Sequence, residues 1–220
     1  MLKVYNYMAG GLVLTGLVAY FAFAQAFDAA GNLTAFGDAI YVSPLKWVVM
    51  LAPLAFILVL SFGLTKLSVA TTQILFWVFA AVMGLSLSSI FAVYTGGSIA
   101  KVFFITAGTF GAMSLYGYTT KTDLTKFGSF LIMGLIGIII ASIVNIFLAS
   151  SALSFGISIV GVLVFVGLTA WDTQKIKESY NEGFGADVLA KGAIMGALSL
   201  YLDFINLFLM LLRLFGNQRN

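Results

Sequence analysis

The stretch from residue 127 to residue 171, FGSFLIMGLIGIIIASIVNIFLASSALSFGISIVGVLVFVGLTAW, contains 45 residues and no charge. A helix needs about 20 apolar residues to cross the hydrocarbon core of a bilayer. The stretch is therefore long enough for two spanning helices. The polar residues Ser150, Ser151 and Ser154 mark the place where we expect the first to end and the second to begin.

The composition of the whole chain agrees with a membrane location. Of the 220 residues, 61% are hydrophobic and only 9% are charged, and the mean hydropathy is +1.09. Soluble domains usually carry about 25% charged residues, so a water-soluble enzyme, a disordered chain and a nucleic-acid-binding protein are all excluded. The chain has no cysteine and no histidine, which excludes disulfides, thiolate metal sites and the side chain that normally titrates near neutral pH.

The remaining gaps between charged residues give the number of spans. Four gaps of 24, 19, 34 and 19 uncharged residues precede the long stretch, and a further apolar segment with one acid follows it. These runs are apolar on every face, which favours helices over barrel strands. The sequence thus predicts an all-α membrane protein, one transmembrane domain over residues 1–220. Its seven predicted helices lie at about 7–27, 46–64, 68–94, 99–118, 127–148, 155–177 and 189–215.

Lysine and arginine positions predict the orientation. With a cytoplasmic N-terminus, seven basic residues flank the cytoplasmic side and four flank the other, or nine and two if the seventh helix only dips into the membrane. Positive residues concentrate on the cytoplasmic side, so both counts predict a cytoplasmic N-terminus.

The first helix has a second interpretation. Lys3 precedes an apolar run that ends in AFAQA at residues 22–26, and small residues spaced in this way are typical of a signal-peptide cleavage site. We favour an uncleaved span, because the run is longer than an ordinary signal-peptide core.

Two acids are predicted to lie inside spanning helices. Asp172 lies near the cytoplasmic end of the sixth helix, and Asp203 lies near the middle of the seventh. An unpaired aspartate at the bilayer centre costs about 2.5–3.5 kcal/mol, so each is a candidate functional residue. The alternative for Asp172 is a structural role, as a helix cap or as the partner of Lys175.

A pair formed by these acids would have definite chemistry. Two carboxyl groups in one apolar bundle do not ionise independently and titrate as a unit. When ionised they offer oxygen ligands, which calcium prefers, and Asn206 offers another oxygen one turn from Asp203. Counted from the flanking lysines, however, Asp172 is expected nearer the cytoplasmic face than Asp203 by about two turns.

Four segments of the sequence resemble the Bax inhibitor-1 (transmembrane BAX inhibitor motif) family. They are WDTQKI at residues 171–176, GALSLYLDFINLF at 196–208, SVATTQ at 68–73 and MGLSLSSIF at 83–91. The resemblance covers nearly the whole chain after the first helix.

The resemblance implies six helices around a central seventh and a pH-sensing aspartate pair that controls a calcium leak. The positions that match the pair are Asp172 and Asp203. It also implies a basic latch at the end of the second helix, for which Lys66 is the nearest match, although lysine lacks the bidentate fork of arginine. The chain ends without a lysine-rich tail, which favours a bacterial member in the inner membrane.

Two functions remain in competition at this point. The first is a pH-sensitive calcium leak channel or exchanger, whose partners are the bilayer, calcium and protons, with no cofactor beyond the transported ion. The second is an interaction protein that regulates a membrane protease or a stress or cell-death pathway without transport. An enzyme is not expected, since the sequence has neither a serine–histidine pair nor a zinc motif. An aspartyl protease would use two acids, and two are present, but the family resemblance argues against that activity.

Overall fold

The computed structural model describes residues 1–63, 65–180 and 183–219, and these residues are predominantly helical. Seven helices in this part of the chain are long and apolar enough to cross a membrane, so the prediction of an all-α fold with seven spans is confirmed. The helices are α1 Leu2–Ala26, α2 Ala35–Tyr41, α3 Leu45–Gly63, α4 Val69–Leu87, α5 Ile90–Val93, α6 Gly96–Thr119, α7 Thr125–Leu148, α8 Ser151–Glu178 and α9 Ala186–Phe215.

The spans agree with the predicted ones to within a few residues at most ends. The largest difference is at the start of α1, which begins five residues earlier than predicted. The third span runs through α4 and α5 as Val69–Val93. The sixth and seventh predicted helices are α8 and α9, and α9 is the most buried of the seven spans.

The long uncharged stretch divides where its serines predict. Helix α7 ends at Leu148 and α8 begins at Ser151. Ala149 between them takes a left-handed φ of 47°, and the Asn145 side chain accepts a hydrogen bond from the Ser150 backbone N–H at 3.0 Å. The Ser150 hydroxyl then caps α8 by accepting from the Leu153 N–H, because the first N–H groups of a helix lack partners within it.

The chain forms two compact units. The first contains Met1–Thr95 and Gly183–Leu198, with α4 packed against both α1 and α3 and the short α2 contacting α1 and α3. The second contains Gly96–Glu182 and Ser199–Asn217, with α6 and α7 each packed on α8. Helix α9 therefore contributes its first part to one unit and its second part to the other. The single transmembrane domain stays a prediction.

Close backbone approach holds α1 against α4 in the first unit. The Thr15 hydroxyl of α1 donates to the Ala80 carbonyl of α4 at 2.8 Å. A Cβ placed on Gly84 would lie 2.5 Å from the Thr15 carbonyl oxygen, closer than real Cβ atoms come. Small residues permit such approaches between helices in a membrane, where packing and interhelical hydrogen bonds replace the hydrophobic effect.

We expect Gly84→Ala to destabilise the protein by about 1–3 kcal/mol, because the added methyl group forces two backbones apart. The matched control is Gly16→Ala on α1, where a Cβ meets nothing within 4 Å. Thermal unfolding in detergent should show a lower midpoint for Gly84→Ala only. Equal midpoints for the two variants would contradict this account of the α1–α4 contact.

Candidate functional site: a buried pair of carboxyl groups

Two helices of the second unit bring the candidate acids together. Asp172 lies six residues before the end of α8 and is half-buried. Asp203 lies in the middle of α9 and is 5% exposed. Their side chains are close enough to interact with each other electrostatically, so the structure brings the two candidate acids into one place.

The contact has a simple chemical requirement. An ionised carboxylate only accepts hydrogen bonds, whereas a protonated carboxyl group also donates one. Two carboxyl groups therefore hydrogen-bond to each other only when they share at least one proton. The Oδ2 atom of Asp203 is buried and has no hydrogen-bond partner among the described residues, which leaves this oxygen free to meet a proton or a cation.

The expected offset of about two turns does not separate the two side chains. The offset takes the flanking lysines as the ends of the two helices, but neither helix ends at its lysine. Helix α8 continues past Lys175 to Glu178, and α9 begins at Ala186, before Lys191. Lys175 also interacts electrostatically with Asp172, while its ammonium lies 4.8 Å from the centroid of the Trp171 ring.

Aromatic packing fixes the α9 side of the pair. The Phe204 ring, next to Asp203 in the chain, makes edge contacts with Phe103 at 5.4 Å and with Phe110 at 5.5 Å between ring centroids. On the side of α8, the Met210 side chain lies 2.9 Å from the place where Gly161 would carry a Cβ. These neighbours of Asp203 are apolar and closely packed, and they leave this part of α9 little freedom.

Hydrogen bonds fix the α8 side. The buried hydroxyls of Ser114 on α6 and Thr173 on α8 are 2.9 Å apart, and Thr173 follows Asp172 directly. The amide of Gln174 makes two further bonds: its Nε2 donates to the Thr122 carbonyl and its Oε1 accepts from the Leu124 N–H, both at 2.8 Å. These bonds tie the end of α8 to α6 and to the connection between α6 and α7.

Sequence reasoning missed the positioning role of Gln174. Its amide belongs to the motif that carries the family resemblance, but the prediction assigned chemistry only to the acid in that motif. The indication available in the sequence was a glutamine shortly after a long apolar run. The structure leaves this side chain only 5% exposed, and buried polar groups are nearly always hydrogen-bonded.

The two accessory candidates have different positions. Asn206 is half-buried on α9, one turn after Asp203, and its Nδ2 donates to the Leu202 carbonyl at 2.8 Å, which leaves its Oδ1 as an acceptor. Lys66 is exposed in the turn between α3 and α4 and belongs to the first compact unit. Its latch role stays a prediction.

Metal chemistry at the pair has a limited ligand set. The described residues contain no group of three or more acidic, histidine or cysteine side chains placed to hold a metal ion. Calcium takes six to eight oxygen ligands in its stable sites. The two carboxyl groups by themselves supply fewer oxygen ligands than a stable calcium site has.

Comparison with known proteins identifies the chain. A model of the family described as "Inhibitor of apoptosis-promoting Bax1" matches residues 1–220. The chain belongs to this family. The Bax inhibitor-1 resemblance of the four sequence segments is thereby confirmed.

Bacterial relatives match the Bax inhibitor-1 chain along its whole length. The inner membrane protein YbhL of Escherichia coli (strain K12) is 52% identical over 221 residues, which cover 100% of this chain and 92% of the relative. The uncharacterized protein RP147 of Rickettsia prowazekii is 50% identical, with 100% and 90% covered. An uncharacterized protein of Caulobacter vibrioides is 46% identical, with 100% and 88% covered.

We expect Gln174→Leu to lower stability by about 1–3 kcal/mol, because it leaves the buried Leu124 N–H without a partner. Gln174→Glu keeps the acceptor for the Leu124 N–H but places a buried carboxyl group against the Thr122 carbonyl, so it should also lower stability. Unfolding midpoints in detergent measure both, with Gln73→Leu as the control, a half-buried glutamine of α4 outside this junction. If Gln174→Leu unfolds at the same midpoint as the control, the hydrogen bonds of Gln174 do not stabilise the protein.

Proposed function

We propose that this Bax inhibitor-1 protein is a pH-sensitive calcium leak channel or exchanger, gated by the contact between Asp172 and Asp203. The observation that carries the proposal is the pair itself: two interacting carboxyl groups of different helices, with one buried oxygen of Asp203 that has no hydrogen-bond partner among the described residues. Acids inside a membrane bundle are costly and mark ion and proton pathways.

Gating follows from the proton that the pair shares. With the proton present, the carboxyl groups bind each other and hold α8 against α9. When the proton leaves, two negative charges face each other in an apolar surrounding, and their repulsion favours separation of the two helices. The same charges then attract a divalent cation, to which the Asn206 amide oxygen offers a further ligand.

The proposed location is the bacterial inner membrane with a cytoplasmic N-terminus. Seven apolar helices support an integral membrane protein, and a relative that is 52% identical bears the name inner membrane protein. The distribution of lysines and arginines supports the orientation.

We expect calcium flux into proteoliposomes to rise several-fold from pH 6 to pH 8 in the wild type, because ionisation opens the pair. Asp172→Asn and Asp203→Asn should each flatten this dependence, since an amide does not titrate. Asp203→Glu should retain it. The measurement is the initial rate of calcium entry, reported by a trapped calcium dye at pH 6, 7 and 8.

The matched control is Asp187→Asn, which removes an exposed acid from the first turn of the same helix. Its flux should follow that of the wild type at every pH. Equal pH dependence in all variants, or no flux above empty liposomes, would remove the transport function. Co-purification with a membrane protease in that case would favour regulation by binding.

A further inference from the structure

A groove lies in the second unit where α6 ends and α7 begins. Both helices pack chiefly on α8, so the space between them remains open and has α8 as its floor. The groove encloses about 720 Å³. Gly167 and Ala170 of α8 form the floor, Met113 and Tyr116 of α6 form one wall, and Phe127 and Phe130 of α7 form the other.

The walls of the groove are apolar and open to the surroundings. Phe130 is 63% exposed, Phe127 is 52% exposed and Tyr116 is 47% exposed. These rings lie within two turns of the ends of their helices, the depth at which aromatic side chains meet the boundary between hydrocarbon and headgroups. Since α6 and α7 are membrane spans, the groove faces lipid, and an acyl chain matches its walls.

Two opposite charges stand at the mouth of the groove, Lys126 and Asp123. The Asp123 carboxylate accepts a hydrogen bond from the Thr125 N–H at 2.8 Å. Hydrogen bonds from Thr125, with a smaller contribution from the charge of Lys126, keep the pKa of Asp123 below its ordinary value. The carboxylate is therefore ionised at neutral pH, with the positive charge of Lys126 in its surroundings.

Two other lysines at this end of the unit are already engaged. The Lys177 ammonium donates to the Tyr118 carbonyl at 2.8 Å and lies 5.0 Å from the Tyr118 ring centroid. Lys175 lies over the Trp171 ring. The lining of the groove thus offers one cation, Lys126, and one anion, Asp123.

We propose that this groove binds one phospholipid with a phosphoethanolamine headgroup. The phosphate lies at Lys126, the primary ammonium lies at Asp123 and an acyl chain runs between Phe127 and Phe130. This site is separate from the carboxyl pair and does not depend on the proposed leak.

The charges at the mouth select among headgroups. A phosphoglycerol headgroup satisfies Lys126 but places its single charge near the Asp123 carboxylate. A phosphocholine headgroup has the right charges, but its methylated nitrogen donates no hydrogen bond. Only a primary ammonium next to a phosphate matches both side chains with charge-assisted hydrogen bonds.

Native mass spectrometry of the full chain in detergent tests the site. The probes are phosphatidylethanolamine, phosphatidylcholine and phosphatidylglycerol with identical acyl chains. We expect the wild type to bind phosphatidylethanolamine most tightly. Asp123→Asn should weaken that binding by about fivefold, the effect of one interfacial charge, with no loss for phosphatidylglycerol. Lys126→Ala should weaken the binding of all three lipids, and so should Phe130→Ala.

The controls are Lys101→Ala near the start of α6 and Phe147→Ala near the end of α7, both exposed and remote from the groove along their helices. They should bind all three lipids as the wild type does. Equal affinity for the three headgroups would overturn the proposal, and so would a preference for phosphatidylglycerol that Asp123→Asn does not change. A dimer that Phe130→Ala dissociates, without headgroup preference, would assign the groove to a second copy instead.

Discussion

A carboxyl group inside an apolar bundle must share a proton, bind a cation or meet a hydrogen-bond donor, and in this chain that constraint acts on Asp203. The side chain is almost fully buried in the middle of α9, and it interacts with the carboxyl group of Asp172. A second acid satisfies the first only while a proton lies between them. Under the proposed function, the stability of the α8–α9 contact depends on the protonation of this pair.

Polar groups near the end of α8 help to place that pair. Without water in the hydrocarbon region, every buried donor and acceptor needs a partner in the protein. The Ser114–Thr173 hydroxyl pair and the two bonds of Gln174 meet this need at the end of α8. Close approach adds to them, since Gly117 of α6 lies against the backbone of Ala170, where a side chain would not fit. Helix α8 is therefore held against α6 and α7 on one side. On its other side, the Asp172–Asp203 pair joins it to α9.

Much of this arrangement is predictable from sequence. The part that is not predictable consists of contacts between residues that are far apart in the chain. Charge spacing locates the seven spans because hydrophobic length is a property of each segment alone. Helix α2 lies between the first two predicted spans, where no helix is predicted, and it is capped by Thr34 and linked to the α4–α5 turn by the Tyr41–Ser88 hydroxyl bond of 2.9 Å. That bond joins residues 47 positions apart, as the Asp172–Asp203 contact joins distant residues. Such pairings depend on rotation and depth of whole helices, which local patterns do not determine.

The most direct test of the account is an infrared titration of the carboxyl groups in the purified protein. The carbonyl stretch of a protonated carboxyl group is followed against pH in the wild type, Asp172→Asn and Asp203→Asn. If the two acids share a proton, removal of either one must change the titration midpoint of the other. A remaining acid that titrates in each variant as it does in the wild type would show that the two groups are independent, and the gate proposed here would not exist.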